Sequence, residues 1–350
     1  MAFITIKNVS LVGMSACVPS DILKTEDLYH WDGRQTFIET TGIYQKRRAP
    51  KDVCASDLCI KAAERLLQEM NWDKDEVDAI VFVSQTADYR LPSTAPIIQH
   101  KLGLSIDCFT LDISLGCSGW VYGFSVLASL MQSGTIRKGL LLAGDTPLKL
   151  CSVEDKSTYP IFGDAGTVTA LQYEEGASGF RFVMHSDGEG YQDIIVPDGG
   201  CRNMTTASSL AVTEKDQGIK RSPLNVEMDG MSVFSFGISK VPKIVNELLE
   251  HYQIDKESVS LFGFHQANLR MNEKIRKKLN LPENKVPYCI GEYGNTSCAS
   301  IPLAYVSKCR EMLMTEQLSH CDCGFGVGLS WGAVYYETDK IICPEVIEYE

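Results

Sequence analysis

The amino-acid sequence predicts an α/β protein of layered helices and strands that is built from two similar halves. Short apolar runs alternate with longer helical patterns along the 350 residues, as they do when helices cover a buried sheet. The segment that begins at Leu66 aligns without gaps on the segment that begins at Leu248, about half the chain later. Each contains a helix end, an Asp-Lys turn and a buried strand, which indicates a duplicated α/β unit.

The apolar runs give the individual elements. Strands are predicted at 77–83, 109–113, 138–144 and 259–264, and an apolar helix at 119–131. Residues 195–225 are rich in Pro, Gly, Ser and Thr with little periodicity, which is typical of a functional loop or a mobile insert. The predicted division is an N-terminal half at 1–175, a connecting segment at 176–225 and a C-terminal half at 226–350.

Composition excludes several classes of function. The net charge of -12 argues against a nucleic-acid partner, because phosphate binding needs clustered basic residues. No apolar stretch is long enough to span a membrane, and the N-terminus lacks a signal-peptide pattern, so we expect a cytoplasmic protein. The thirteen cysteines are scattered through apolar segments, which fits a reducing compartment. Cys321 and Cys323 lack zinc-spaced partners, so no metal is expected.

The first motif with chemical potential is a cysteine between a predicted strand and a predicted helix. Cys117 lies among small residues in Leu-Gly-Cys-Ser-Gly. At such an elbow the helix macrodipole favours the thiolate, and backbone amides can stabilise an oxyanion, as an acyl-accepting nucleophile requires. A cysteine that only packs at a buried helix start is the alternative, and this motif alone does not exclude it.

Three further motifs lie near predicted strand ends. His265 follows the buried strand of the second half, at the edge where open α/β sheets bind ligands, although a structural histidine is as common there. Asn295 follows a glycine turn and has the alternative role of a helix cap. The alternating glycines of 324–332 indicate a close approach of backbone to backbone or to a ligand.

Together these motifs resemble the β-ketoacyl-acyl carrier protein synthase III family, a branch of the thiolase-fold condensing enzymes. The resemblance covers almost the whole chain. Its segments are Thr41-Gly42-Ile43, Pro92-Ser93-Thr94-Ala95, the Cys117 elbow, Phe162-Gly163-Asp164-Ala165-Gly166, Met228-Asp229-Gly230, His265-Gln266-Ala267-Asn268, Gly294-Asn295-Thr296-Ser297 and Ser330-Trp331-Gly332. It implies a thiolase-like five-layered αβαβα fold and a homodimer whose strands meet across the interface.

The resemblance also implies roles for single residues. Cys117 would accept the acyl primer, while His265 and Asn295 would bind the malonyl thioester carbonyl and stabilise the enolate formed on decarboxylation. The backbone amides of Cys117 and Val327 would form the oxyanion hole. No cofactor is implied, because acyl-coenzyme A and acyl carrier protein are substrates.

A basic stretch follows His265 closely. In this acidic chain it is either a solvated helix face or a docking surface for an acidic carrier protein. Arg270 matches the carrier-docking arginine of the family, and the other candidates are Lys274, Lys277 and Lys278.

The sequence departs from the family pattern in two places. Thr36 and Thr40 occupy the positions of a Trp and an Arg that sandwich the adenine of coenzyme A, which favours a carrier-bound or unusual acyl donor. Val327 replaces the central glycine of the usual triplet and narrows the neighbouring space. The run at 46–48, Lys-Arg-Arg, is expected either to contact a carrier phosphate or to be solvent-exposed.

Three functions remain open from the sequence. The chain is a decarboxylating condensing enzyme, or an acyltransferase that moves the acyl group from Cys117 to a hydroxyl or amine, or a non-catalytic binding subunit. The joint presence of Cys117, His265 and Asn295 disfavours the third. It disfavours the second less, because a histidine can also act as a base on an alcohol.

Overall fold

A computed structural model of the chain describes residues 2–28, 33–215 and 218–350. The strands are β1 (Ala2–Ile6), β2 (Val9–Pro19), β3 (Ile22–Lys24), β4 (Gln45–Arg47), β5 (Ala79–Val83), β6 (Phe109–Ile113), β7 (Lys138–Asp145), β8 (Ala165–Tyr173), β9 (Phe180–Ser186), β10 (Ile194–Ile195), β11 (Thr213–Glu214), β12 (Lys220–Arg221), β13 (Glu227–Met228), β14 (Gln317–Gly326), β15 (Ser330–Asp339) and β16 (Ile347–Tyr349). The helices are α1 (Thr25–Leu28), α2 (Arg34–Thr41), α3 (Ala55–Met70), α4 (Thr94–Leu102), α5 (Gly119–Met131), α6 (Gly230–His251), α7 (Leu269–Lys278), α8 (Ile290–Tyr293), α9 (Ser300–Lys308) and α10 (Arg310–Thr315).

Two large sheets organise the molecule. The first has the strand order β16-β2-β8-β7-β5-β6, with β5 parallel to both β6 and β7 and with β8 antiparallel to its neighbours. The second has the order β1-β9-β15-β14 and is antiparallel. Strand β6 forms one edge of the first sheet.

The helices complete five layers. Helix α3 packs its apolar face on the outer side of the first sheet, and α6 and α7 cover the outer side of the second. Helices α5 and α9 lie between the sheets, where their side chains share one core with residues of both. Because α5 is enclosed by the two sheets, it is apolar on nearly every side, as its sequence predicted. The predicted αβαβα layering is therefore confirmed.

The two sequence repeats adopt the same local structure. Helix α3 is followed by Asn71 in the left-handed region, at φ 52°, and by a 3₁₀ turn at Lys74–Glu76. Helix α6 is followed at the same offset by Gln253, at φ 54°, and by a 3₁₀ turn at Lys256–Ser258. Each helix covers the outer face of its own sheet, which agrees with the duplication inferred from the sequence.

Of the predicted strands, 109–113 is found at its predicted bounds, and 77–83 and 138–144 are found with ends shifted by one or two residues. Residues 259–264 form only isolated parallel bridges to β14, at Leu261 and Phe264. The ladder is interrupted because the Gly263 amide donates to the side chain of Asp322, at 2.9 Å, rather than to a backbone carbonyl of β14. The chain nevertheless runs along β14 as far as His265, whose amide donates to the Cys323 carbonyl.

No helix in the described ranges has the length and apolarity that crossing a bilayer requires. The boundaries proposed at 175 and 225 stay a prediction. Among the described residues of 195–225, only short elements occur, namely the end of β10 at Ile195, β11, β12 and a 3₁₀ turn at Ser208–Leu210, while 216 and 217 lie outside the description.

Candidate active site

Cys117 lies in the elbow between β6 and α5, two residues before the helix begins, and only 8% of it is exposed. The glycines of β14 cover it. A Cβ on Gly326 would lie 2.6 Å from the Cys117 Cβ, and a Cβ on Gly324 would lie 3.0 Å from the Cα of Ser118. Contacts this short require glycine, so the close backbone approach predicted for this stretch is found, directly against the candidate nucleophile.

Burial controls the ionisation of the Cys117 thiol. It raises the pKa of the thiol to about 12, and the nearby Asp145 carboxylate acts in the same direction. Hydrogen bonds from the Ser297 hydroxyl and the Val327 amide oppose this shift. The lowering that the helix N-terminus predicted is therefore outweighed by desolvation, and the resting group is a neutral thiol.

Asp145 ends strand β7 and is 1% exposed. Its Oδ1 accepts hydrogen bonds from the Ser84 hydroxyl and the Gln85 amide, both at 2.8 Å, and from the amide and hydroxyl of Thr86. Gln85 and Thr86 line the cavity in front of Cys117, so this one carboxylate fixes the turn that bounds the site.

His265 reaches the site from the end of the segment that runs beside β14, and 2% of it is exposed. Its Nδ1 lies 2.8 Å from the Ser300 hydroxyl at the start of α9. Burial lowers the pKa of the imidazole to about 3, against a hydrogen bond to the Ser297 carbonyl that raises it. The ring is therefore uncharged at neutral pH, and no hydrogen bond to its Nε2 is found among the described residues, which leaves this nitrogen for a ligand.

Asn295 is held by backbone hydrogen bonds that join the two halves. Its amide donates to the Ile161 carbonyl at 2.9 Å, and its carbonyl accepts from the Gly163 amide at 3.0 Å. The Asn295 Oδ1 accepts from the Ser297 amide at 2.9 Å, which fixes the orientation of the side-chain amide. Within the described part of the chain nothing accepts from its Nδ2, so this donor is available to a ligand.

These groups face one cavity of about 160 Å³. Cys117, His265, Asn295 and Val327 all line it, and most of the remaining lining is apolar. The site therefore combines a thiol, two uncharged side chains that can act as donors and backbone amides in a largely apolar cavity. Such an arrangement suits a reaction that develops negative charge on a thioester oxygen.

The predicted basic residues lie on α7, whose N-cap residue Asn268 also lines the cavity. Arg270, Lys274, Lys277 and Lys278 are all exposed. Lys274 lies over the Phe234 ring at 5.0 Å, Lys277 lies 3.9 Å from Glu273, and Lys278 donates to the Ile238 carbonyl. The remaining cation of the stretch, Arg276, is buried and bonded to Glu273.

Residues 46–48 were expected either to contact a carrier phosphate or to be solvent-exposed, and neither expectation holds for Lys46 or Arg47. Lys46 is fully buried, with its Nζ on the Tyr159 carbonyl and 4.1 Å from the Tyr159 ring centroid. Arg47 is buried and paired with Glu348 at 2.8 Å, while Arg48 alone is exposed and is paired with Asp21. These cations support the fold behind the Asn295 loop, since the Lys46 Cβ packs on Gly163 and Gly294.

Asp145, Ser297 and Ser300 were not predicted as site residues from the sequence. A charged residue at the end of the apolar run of β7 was a signal for Asp145. Ser297 lies in the Gly294-Asn295-Thr296-Ser297 motif but was given no role there, and Ser300 had no distinguishing signal. Small polar residues are common at helix starts, and the contacts of these serines with Cys117 and His265 depend on tertiary structure. Among the described residues no group of three or more His, Cys, Asp or Glu side chains is arranged to hold a metal ion.

A duplicated five-layered α/β fold with a cysteine elbow, a histidine and an asparagine in one cavity defines the acyltransferases of the thiolase-fold condensing class. Two family descriptions match the chain, "3-Oxoacyl-[acyl-carrier-protein (ACP)] synthase III" over residues 111–188 and its "C terminal" counterpart over residues 249–338.

Comparisons over the whole length agree. The chain is 32% identical to a β-ketoacyl-[acyl-carrier-protein] synthase III of Rhodopirellula baltica, covering 95% of this chain and 99% of the relative. It is 30% identical to one of Fusobacterium nucleatum, covering 93% and 98%. The crystal structure of a 3-oxoacyl-(acyl-carrier protein) synthase of Burkholderia xenovorans superposes with a TM-score of 0.93 at 38% identity, covering 99% of both chains. The chain belongs to the β-ketoacyl-acyl carrier protein synthase III family, and the resemblance seen in the sequence is confirmed.

Proposed function

We propose that this enzyme catalyses the decarboxylative Claisen condensation of an acyl group on Cys117 with a malonyl group on acyl carrier protein. The observation that carries the proposal is that Cys117, from the N-terminal half, lines the same cavity as His265 and Asn295, from the C-terminal half. The products of the condensation are a 3-oxoacyl thioester and CO2.

In the first half-reaction the Cys117 sulfur attacks the carbonyl of an acyl thioester. The C–S bond to Cys117 forms, the bond to the donor thiol breaks, and the proton of Cys117 passes to that leaving thiol. The backbone amides of Cys117 and Val327 stabilise the oxyanion. The hydrogen bond from the Val327 amide to the resting sulfur supports this role, because it places that donor beside the reacting atom.

In the second half-reaction the malonyl thioester carbonyl accepts hydrogen bonds from His265 and Asn295. Loss of CO2 leaves an enolate, and its α-carbon attacks the acyl group on Cys117. The C–S bond breaks, and the Cys117 sulfur leaves as a thiolate that takes up a proton from solvent to restore the resting thiol. An uncharged imidazole suits this step, because a cationic one would attract the malonyl carboxylate that must depart. The burial that keeps His265 neutral and the fixed amide of Asn295 support the assignment.

The partner protein is an acyl carrier protein that docks on α7. Arg270, Lys274, Lys277 and Lys278 give this helix an exposed basic surface in an acidic chain, and α7 starts at the cavity. Complementary charge of this kind raises the rate of encounter with an acidic partner. The first acyl donor is a carrier-bound or otherwise unusual acyl thioester. Support for this comes from exposed Thr36 and half-buried Thr40 on α2, which offer neither ring nor cation to the adenine of coenzyme A.

The enzyme acts as a cytoplasmic homodimer. Strand β6 is a half-buried sheet edge that begins at Phe109, 43% exposed, and such an edge pairs readily with a second copy. Tyr89 and Leu91, at 63% and 87% exposure, add an exposed apolar surface, and the family resemblance implies that this segment reaches toward the acyl pocket of a second copy.

The deciding experiment measures CO2 release and product mass with the enzyme, an acyl-carrier primer and malonyl-carrier protein. We expect stoichiometric CO2 and a 3-oxoacyl product. His265→Ala and Asn295→Ala should still form the acyl adduct but lose about a hundred- to a thousandfold in condensation, the usual cost of one oxyanion donor. Cys117→Ser should lose both steps.

An ester or amide product formed without CO2 would instead establish acyl transfer to a hydroxyl or amine. The His265 and Asn295 variants could instead lose acylation as much as they lose condensation. That result would contradict the assignment of these two residues to the second half-reaction.

A further inference from the structure

The apolar wall of the cavity is backed by a buried ion pair, and its role as considered below rests on the proposed function. Three apolar side chains of this wall, Leu150, Ile194 and Val226, come from segments far apart in the chain. Ile194 and Val226 flank the long segment 195–225, of which no described residue lines the cavity. The segment therefore shapes the cavity through the residues at its two ends.

Backbone hydrogen bonds join these pieces. The Val226 amide donates to the Leu150 carbonyl at 2.9 Å, and Ile194 pairs with Met228 in the two-stranded sheet of β10 and β13. The Ser152 hydroxyl donates to the Lys220 carbonyl at 2.7 Å. The wall is thus one unit that ties the loop after β7 to the end of the long segment.

A buried ion pair fixes this unit. Arg221 Nη1 lies 2.9 Å from Asp155 Oδ2, with the Arg221 side chain 13% exposed and the Asp155 side chain 0% exposed. The other Arg221 nitrogen, Nη2, lies 3.3 Å from Glu227, which directly follows Val226. Asp155 also accepts from the Ser157 amide at 2.8 Å. One guanidinium therefore bridges the loop after β7 and the strand that carries the wall.

We propose that Arg221, held by Asp155 and Glu227, determines which acyl chain lengths the enzyme accepts. It touches no substrate and acts by holding Val226 and Leu150 against the cavity. With the guanidinium removed, Asp155 is left buried without its cation, and the wall loses the bridge that restrains it. The cavity can then widen and admit longer acyl chains.

The experiment measures the rate at which Cys117 is acylated by small N-acetylcysteamine thioesters from acetyl to decanoyl, followed by intact mass. Such donors avoid any need for carrier docking. In Arg221→Met the ratio of long-chain to short-chain rates should rise by about tenfold, comparable to the discrimination that a hydrophobic pocket achieves per methylene. Arg221→Lys keeps the charge without the two-pronged geometry and should give an intermediate ratio. Lys220→Met is the matched control, because its ion pair with Glu154 is exposed, and its ratio should not change.

An unchanged ratio in folded Arg221 variants, or an equal change in Lys220→Met, would overturn the inference. Thermal melting establishes folding. If Arg221→Met does not fold, Arg221→Lys and Glu227→Gln carry the test, since each removes one arm of the bridge. If the small thioesters do not label the wild-type enzyme, the same ratio is measured with acyl-carrier primers. Failure of both kinds of donor to label Cys117 in the wild-type enzyme would refute the proposed function, which is a distinct outcome.

Discussion

The Cys117 thiol should react with electrophiles at a rate that rises about tenfold per pH unit between about pH 6 and about pH 9. Burial and Asp145 raise the pKa of this thiol to about 12, so at neutral pH only about one molecule in 10⁵ carries the thiolate. Because the folded pKa is above the whole tested range, each added pH unit multiplies the reactive fraction by the same factor and no plateau is reached.

The assay is alkylation by iodoacetamide, followed by intact mass and peptide mapping. Cys201 is the exposed cysteine, so a Cys201→Ser background removes its label, and Cys117→Ser identifies the signal that belongs to the site. A circular dichroism spectrum at each pH ensures that the fold is retained.

A rate that is already constant between about pH 6 and pH 8 would refute this reasoning. It would mean that the start of α5 and the surrounding hydrogen bonds lower the thiol pKa by more than burial raises it. The resting nucleophile would then be a thiolate.

Three further outcomes are expected. The double variant Arg270→Glu, Lys274→Glu should raise the KM for malonyl-carrier protein about tenfold at low salt and leave acylation by small thioesters unchanged, as steady-state kinetics would establish. Gly326→Ala should lower the free energy of unfolding by about 1 to 3 kcal/mol and suppress Cys117 acylation, because the new methyl overlaps the nucleophile; thermal melting and intact mass test this. Burial lowers the pKa of His320 from 6.5 to about 3, so the unfolded chain takes up its proton first and stability is lost as pH falls below about 6.5. His320→Phe should therefore be less sensitive to acid. In urea titrations its free energy of unfolding relative to wild type should rise by about 1.4 kcal/mol for each unit by which the pH falls over that range.

The layered fold was predictable because its signals are local. Buried strands and an all-apolar helix follow from hydrophobic periodicity, and the duplication follows from one ungapped alignment. Cys117, His265 and Asn295 were found because each lies in a motif near a strand end, where topology alone brings side chains together. Their roles in catalysis stay a prediction until the variants are measured.

The features that were not predicted from the sequence depend on tertiary contacts, which a local sequence pattern does not reveal. Lys46 looked like part of an exposed basic run, yet it is fully buried because Tyr159 supplies a carbonyl and a ring for its ammonium group. The raised pKa of Cys117 depends on how completely the second half of the chain buries it. The expectation of a thiolate was based only on the position of Cys117 at a helix N-terminus and did not include this burial. Residues 259–264 failed to form a full strand because one carboxylate, Asp322, competes for a backbone amide.

The glycines of β14 have a consequence for biosynthesis. Cys117 emerges from the ribosome about two hundred residues before Gly324 and Gly326, which are the residues that close over it. Until then an N-terminal half that has folded by itself presents an uncovered thiol and lacks the amide of Val327. The Cys117 thiol and the Val327 amide, to which we assign the roles of nucleophile and oxyanion donor, therefore come together in the same late event, when the final hairpin of β14 and β15 is added.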